Sequence, residues 1–312
     1  MANQESMKQF TVTESVSPED ILKVAAETLL KSQHVCEKNN PKFVADHVKT
    51  KLQEFNFIVC GAPRTGKSTL INAIINKNIA PTRSGSSAVT LETKCYSLEG
   101  TCPEQIDEKK SEKSQEAQEF RINIWDTKGI TTWDKSIADI IHEKNPMCMI
   151  LCSSPGSFAN DEFIRPLINQ CLILKIFVAL VCTNQWNDSD EKRTKVIEEF
   201  TDLLKVYKTE THEENGIVYY GNIGLIAMVN SIPYSNRRTG IYKPKSGVNS
   251  LIYGIMKSLN EDHLLGWCYT LMENDGFWSQ MQIQIEEFFA QKFTYGKSIL
   301  WSISKGLTWF RK

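Results

Sequence analysis

Eight consecutive residues, Gly61-Ala62-Pro63-Arg64-Thr65-Gly66-Lys67-Ser68, satisfy G-x-x-x-x-G-K-[S/T] at every fixed position. These residue types suit an anion. Gly61 and Gly66 let backbone N–H groups turn inward, and the start of a helix adds positive potential. Lys67 supplies a point charge between phosphates, and the Ser68 hydroxyl is a hard oxygen donor for Mg2+. An apolar strand-like run, Phe57-Ile58-Val59-Cys60, precedes the loop. Thr69-Leu70-Ile71-Asn72-Ala73 follows it as a helix, with Thr69 still close enough to touch a nucleotide. That strand–loop–helix context separates the motif from a chance glycine turn.

A phosphate loop does not by itself distinguish a kinase, an ATPase and a GTPase. About sixty residues further on, Ile124-Trp125-Asp126-Thr127-Lys128-Gly129 closes another apolar run with D-x-x-G. Asp126 is placed to hold Mg2+ through water, and the Gly129 N–H to sense the terminal phosphate. Between the two motifs, Pro81–Thr93 is rich in Ser, Gly and Thr, apt for a switch that closes on the metal. Thr90 is the first choice for its threonine, with Ser86, Ser87 and Thr93 as alternatives.

A base-reading loop of the form N/T-K-x-D belongs after the strand-like run Ile176–Val181. Cys182-Thr183-Asn184-Gln185-Trp186-Asn187-Asp188 stands there in degenerate form. Asn184 takes the first position, but Gln185 replaces the usual Lys and Asn187 the usual Asp. A carboxylate accepts two bonds from a guanine edge, whereas a carboxamide offers one acceptor and one donor. Asp188, one residue on, serves only if the loop shifts, and Gln185 or Trp186 could cover the base face. Asn230-Ser231, after Leu225–Val229, has the placement of the last base-contacting loop.

The elements around these motifs alternate between strand-like and helical runs from Phe55 to Leu259. This predicts an α/β domain of three layers, helices on both faces of a mainly parallel six-stranded sheet. The polar stretch Gly100–Glu119 reads as a solvated loop between two antiparallel strands. The expected organisation is an N-terminal helical extension over 1–53, the nucleotide-binding domain over 54–260, and a C-terminal helical extension over 261–312. Ser17-Pro18-Glu19-Asp20 starts the first N-terminal helix. Trp267, Trp278, Ile283, Phe288 and Phe289 read as helical packing residues.

From Gln291 to Lys312 the chain carries five cations and no acid, and Ile299, Ile303, Leu307 and Phe310 fall on one helical face. Two readings stay open: a peripheral membrane contact, or packing against the protein or a second subunit. The whole chain, 312 residues with a net charge of -1, lacks the basic excess of a dedicated nucleic-acid binder. No secretory leader is recognisable in the polar first residues, and no apolar run is long enough to span a membrane. Nine irregularly spaced cysteines, several inside strand-like runs, fit packing thiols in a reducing, cytoplasmic setting. The spacing of Cys148 and Cys152 is a weak zinc signal, since no second ligand pair accompanies it.

With these motifs in place, Glu54 to Asn260 resembles a translation-factor-class, Ras-like GTPase. Within that class the chain is similar to the septin-like, dynamin-like and immunity-associated branches, and its phosphate loop to that of guanylate-binding proteins. The resemblance implies bound GTP or GDP with Mg2+, held by Ser68, Thr90 and Asp126, and GTP hydrolysis. Ile130 stands where many relatives place a water-orienting glutamine, which implies slow intrinsic turnover. The likeness to guanylate-binding proteins offers a remedy: Arg64 acting as an internal arginine finger when two such domains form a homodimer. Lys128 is a second cation near the same phosphates. The competing reading is a nucleotide-binding scaffold with little turnover and relaxed base choice.

Overall fold

The computed structural model describes residues 52–82, 92–102, 118–132, 134–157 and 161–292. Thr90, the N-terminal residues 1–51 and the C-terminal segment 293–312 lie outside the described residues. The chain runs through β1 (Gln53–Gly61), α1 (Lys67–Ile75), β2 (Lys94–Cys102), β3 (Gln118–Asp126), α2 (Lys135–Lys144) and β4 (Cys148–Ser153). It continues through α3 (Asp161–Ile173), β5 (Phe177–Cys182), α4 (Asp190–Leu204), β6 (His212–Glu214), β7 (Ile217–Tyr220) and β8 (Gly224–Met228). Then come β9 (Tyr234–Asn236), β10 (Ile241–Lys243), α5 (Val248–Ser258), α6 (Glu261–Thr270) and α7 (Asp275–Lys292).

The main sheet has the order β2-β3-β1-β4-β5-β8-β7-β6. The pairings from β3 to β8 are parallel, and β2 joins β3 antiparallel as expected for the strands flanking the polar loop. The expected six strands are corrected to eight, because the antiparallel hairpin β6–β7 extends the sheet beyond β8. Strand β6 escapes a search for apolar runs: it is His-Glu-Glu, and beside its backbone pairing the His212 ring stacks on Tyr219 of β7.

Alternation along the central strands divides the core. Phe55, Phe57 and Val59 of β1 face α1, α5, α6 and α7, with Ile122, Ile124 and Ile150 beside them. Ile58 and Cys60 face α2, α3 and α4, with Met149, Leu151, Val178 and Leu180. A two-residue period on strands covered by helices on both sides builds three layers around one sheet. Cys148 and Cys152 both sit buried in the first of these cores. Four residues apart on a strand they are about 13 Å from each other, too far to share an ion.

Helices α6 and α7 share this core. The Asn260 side chain caps α6 by accepting the His263 N–H at 2.9 Å. Trp267 packs edge-on to Phe57 and donates its indole N–H to the Ile252 carbonyl at 3.1 Å. Tyr269 stacks on Phe120 at 4.0 Å. Asn274 donates to the Ile74 carbonyl at 2.8 Å, closing the end of α1. Trp267, Trp278 and Phe289 are buried, as a packing role requires, but Ile283 is 69% exposed and faces outward on α7.

Helix α6 comes close to the sheet at Gly266, where a Cβ would lie 2.2 Å from the Phe55 ring and 2.6 Å from Met147 Sδ. Gly266→Ala must push α6 off the sheet. The expected cost is about 1–3 kcal/mol, each kcal/mol appearing as roughly 2–4 °C in Tm. Thermal melting tests this; an unchanged Tm would mean that the helix relaxes freely.

Candidate nucleotide-binding site

The phosphate loop connects β1 to α1, at the C-terminal edge of the parallel strands, where α/β sheets bind ligands. Gly61 has φ +140°, and a Cβ there would lie 2.0 Å from the Cys152 carbonyl oxygen, so β1 and β4 admit only glycine. Gly66 precedes α1 in the left-handed region. Three contacts brace the loop from below and beside. The Thr65 hydroxyl donates to the Ala62 carbonyl at 2.9 Å. The buried Thr183 hydroxyl bonds the Thr65 carbonyl and also reaches the Ser153 carbonyl at 3.0 Å. Ser157 donates to the Pro63 carbonyl at 3.2 Å. Thr183 and Ser157 carry no motif, and no sequence signal marked them as loop supports.

Lys67 is buried, and its ammonium donates back to the Gly61 and Ala62 carbonyls at 3.2 and 3.0 Å. Burial lowers its pKa, with the nearby Asp126 carboxylate acting in the opposite sense. A buried ammonium bonded to its own loop's carbonyls is a charge that phosphate oxygens would balance more fully. Beneath it, burial pushes the Cys60 thiol up to about 12, so this thiol stays neutral and offers no competing charge.

Ser68 Oγ donates to Asp126 Oδ2 at 2.6 Å, bringing together the two residues expected to serve Mg2+. Asp126 Oδ1 and Thr127 Oγ1 are buried with no hydrogen-bond partner among the described residues. The Ser68 hydroxyl and the Asp126 carboxylate, whose Oδ1 is unpartnered, form a hard donor pair that fits Mg2+ completed by water and phosphate. Burial raises the Asp126 pKa, offset in part by the Ser68 bond and by Lys67 and Lys94. A raised carboxyl binds its proton more tightly in the fold than in the unfolded chain. The metal-free fold is therefore favoured at low pH and loses that contribution as pH rises through the raised value. Asp126→Asn removes the buried charge. We expect it to raise the metal-free Tm at neutral pH by about 2–4 °C, for roughly 1 kcal/mol, while weakening Mg2+-dependent nucleotide binding. A melting scan and a nucleotide titration with and without Mg2+ check the two opposite effects.

Gly129 packs directly on the loop: a Cβ would lie 2.5–2.7 Å from Pro63 atoms. The Thr127 N–H bonds the Val59 carbonyl at 3.1 Å and the Ile130 N–H the Gly61 carbonyl at 3.0 Å, tying the D-x-x-G turn to β1. Ile130 is buried in the core on the α2 side, so its side chain is withdrawn from any attacking water. Lys128 is half exposed and paired with Asp134 at 3.1 Å. Arg64 sits exposed at the loop's outer turn with φ +65°, a conformation uncommon for a non-glycine residue.

In the base loop, Asn184 lies against the phosphate loop, its amide nitrogen 3.1 Å from where a Gly66 Cβ would be. Gln185 is buried and donates to Ser246 Oγ at 3.3 Å, so its amide faces inward. Trp186 is flanked by cations, with Arg193 at 4.8 Å and Lys243 at 4.9 Å from its ring centre. Asn187 is exposed. Asp188 is held by Lys192 at 2.7 Å and accepts the Ser189 N–H at 2.8 Å, and this ion pair keeps its carboxyl below the usual range. Asn230 joins Ser246 through two backbone bonds and donates its amide to the Ile232 and Pro244 carbonyls at 2.7 and 3.3 Å. Ser231 is buried beside it. The strand ends thus bring together the phosphate loop, Asp126, Asn184 and Asn230, while Asp188 is committed to α4.

Residues 56–204, just under half of the chain, match the family model described as 50S ribosome-binding GTPase. Among solved structures, the chain is similar to a dimerisation-deficient mutant of Toc33 from Arabidopsis thaliana. The identity is 12% and the TM-score 0.39, over 78% of this chain and 92% of that one. It is also similar to a bacterial selenocysteine-specific elongation factor, EF-Sec, at 18% identity and TM-score 0.39, over 67% of this chain and 30% of that one. A third is elongation factor SelB from Methanococcus maripaludis in complex with the GTP analogue GppNHp. There the identity is 13% and the TM-score 0.37, over 67% of this chain and 35% of that one. No curated protein matches the chain. The sheet order, the two motif turns at its C-terminal edge and the matched family model give residues 56–204 the fold of a P-loop GTPase domain.

Proposed function

We propose that the chain binds GTP as its Mg2+ complex and hydrolyses it slowly to GDP and phosphate, working as a switch or assembling GTPase activated by self-association. The observation that carries this reading is the buried Lys67 ammonium, folded onto the Gly61 and Ala62 carbonyls where a phosphate would draw it out. Ser68 and Asp126 would hold Mg2+, whose charge offsets that of the phosphate oxygens. The Gly129 N–H is the sensor of the terminal phosphate. With Ile130 in the core, the position after Gly129 offers no polar group to orient water, and this supports slow turnover. The exposed Arg64 at the loop tip supports supply of a missing charge to a second copy, or to its own site once a second copy docks. The buried free thiols Cys60, Cys148, Cys152, Cys171, Cys182 and Cys268 support a reducing, cytoplasmic setting.

A second reading, a nucleotide-binding scaffold with little turnover and relaxed base choice, draws on the base loop. Asn187 stands in the carboxylate's place and Asp188 is held by Lys192. Phosphate release with GTP and with ATP separates the two. Faster release from GTP, rising with protein concentration, supports the first; release at the uncatalysed rate with both supports the second.

A further inference from the structure

Between Glu214 and Glu261 the chain contains five cations, Arg237, Arg238, Lys243, Lys245 and Lys257, and no carboxylate. Four of them lie on or beside the hairpin formed by β9 and β10, which pair with each other and with no strand of the main sheet. Asn236 accepts the N–H groups of Arg238 and Thr239 at 3.0 and 3.4 Å, which fixes the turn and places both arginines, exposed, at its tip. Large apolar side chains of the hairpin are open to solvent: Ile241 is 46% and Tyr242 63% exposed on β10, and Ile232, at the root, is 54% exposed. Exposed aliphatic and aromatic groups in such density on one short element call for a partner.

The hairpin is held rigidly at its root. Asn230 and Ser246 bridge its two ends, and the Asn230 amide binds the carbonyls of Ile232 and Pro244. Gln185 bonds Ser246, and Lys243 lies over the Trp186 ring. A finger fixed in this way loses little conformational freedom on docking.

We propose that this hairpin is a docking element for an anionic lipid surface. A duplex nucleic acid would use the cations but gain nothing from Ile232, Ile241 and Tyr242, since its backbone is bound through charge. A bilayer interface uses both: apolar side chains enter the headgroup boundary, tyrosine suits that depth, and cations meet the negative leaflet. The root shares Asn230, Gln185 and Trp186 with the base loops, but Arg237, Arg238, Ile241 and Tyr242 are not among the nucleotide-site candidates, so substitutions there test docking apart from the proposed GTP chemistry.

Vesicle flotation of the full chain tests it, with phosphatidylcholine alone and with phosphatidylserine added. Each cation near an anionic leaflet is worth about a factor of five in partitioning. Arg237→Gln with Arg238→Gln should therefore lower binding to phosphatidylserine vesicles about 25-fold. Ile241→Ser with Tyr242→Ser should also lower it, which a purely electrostatic contact would not show. All four positions are exposed, and an unchanged melting temperature certifies the fold. Equal flotation of wild type and the arginine variant overturns the proposal. So does hairpin-dependent binding to a duplex oligonucleotide without binding to vesicles.

Discussion

Replacing Lys67 with alanine is expected to weaken GTP binding by about 3–4 kcal/mol, roughly 10²–10³-fold, without lowering the stability of the nucleotide-free chain. The two halves of this result come from one geometry. In the free protein the ammonium is buried, bonded to two carbonyls of its own loop, and its charged form is penalised by burial. Removing it relieves that penalty, so the nucleotide-free Tm should hold or rise. With nucleotide present, the same removal leaves phosphate oxygens facing Gly61 and Ala62 without their counter-charge. A fluorescent-nucleotide titration paired with a melting scan reads both. Loss of binding accompanied by a collapse in Tm would instead make Lys67 a structural residue.

Arg64→Ala is expected to abolish the rise in GTP turnover with protein concentration, a loss of about 10³–10⁵ in the associated state, and to leave turnover at high dilution unchanged. Ile130 is buried in the core and supplies no polar group at the phosphate end of the site, and Lys128 is paired with Asp134. Arg64 is exposed, and it occupies a left-handed backbone conformation that costs on the order of 1 kcal/mol and persists only where its surroundings hold it. Turnover measured across a range of protein concentrations decides the matter. A concentration-dependent rate that survives the substitution would assign the rise to another residue.

The features legible from residue order are those that local chemistry dictates. The central strands are buried on both faces and read as unbroken apolar runs, as in Cys148–Ser153 and Phe177–Cys182. The phosphate loop was legible because anion binding by backbone N–H groups demands glycines at fixed spacing. The hairpin β6–β7 was harder. Its strand β6 is polar, yet Asn215-Gly216 between Glu214 and Ile217 carries the signal of a two-residue turn, and both residues have positive φ, 54° and 74°. Asp188 was also partly legible, since Lys192 stands four residues on along a helix that begins at Asp190. Thr183, Ser246 and the amide of Asn230 were not. Their roles rest on bonds to carbonyls or side chains brought near only by the packing of distant strands, as Thr183 meets the Thr65 carbonyl. Base selectivity stayed open for a related reason. The residues that replace the usual lysine and aspartate are individually ordinary, and only the structure shows Gln185 turned inward to Ser246.

The account stands or falls on which nucleotide this site holds. Competition of GTP, GDP and ATP, each with Mg2+, against a fluorescent guanine nucleotide on the full chain is the most direct measurement. Displacement by GTP and GDP, none by ATP at equal concentration, and loss of the signal in Lys67→Ala are the expected results. Displacement by ATP as effective as that by GTP, or binding that survives Lys67→Ala, would contradict the account.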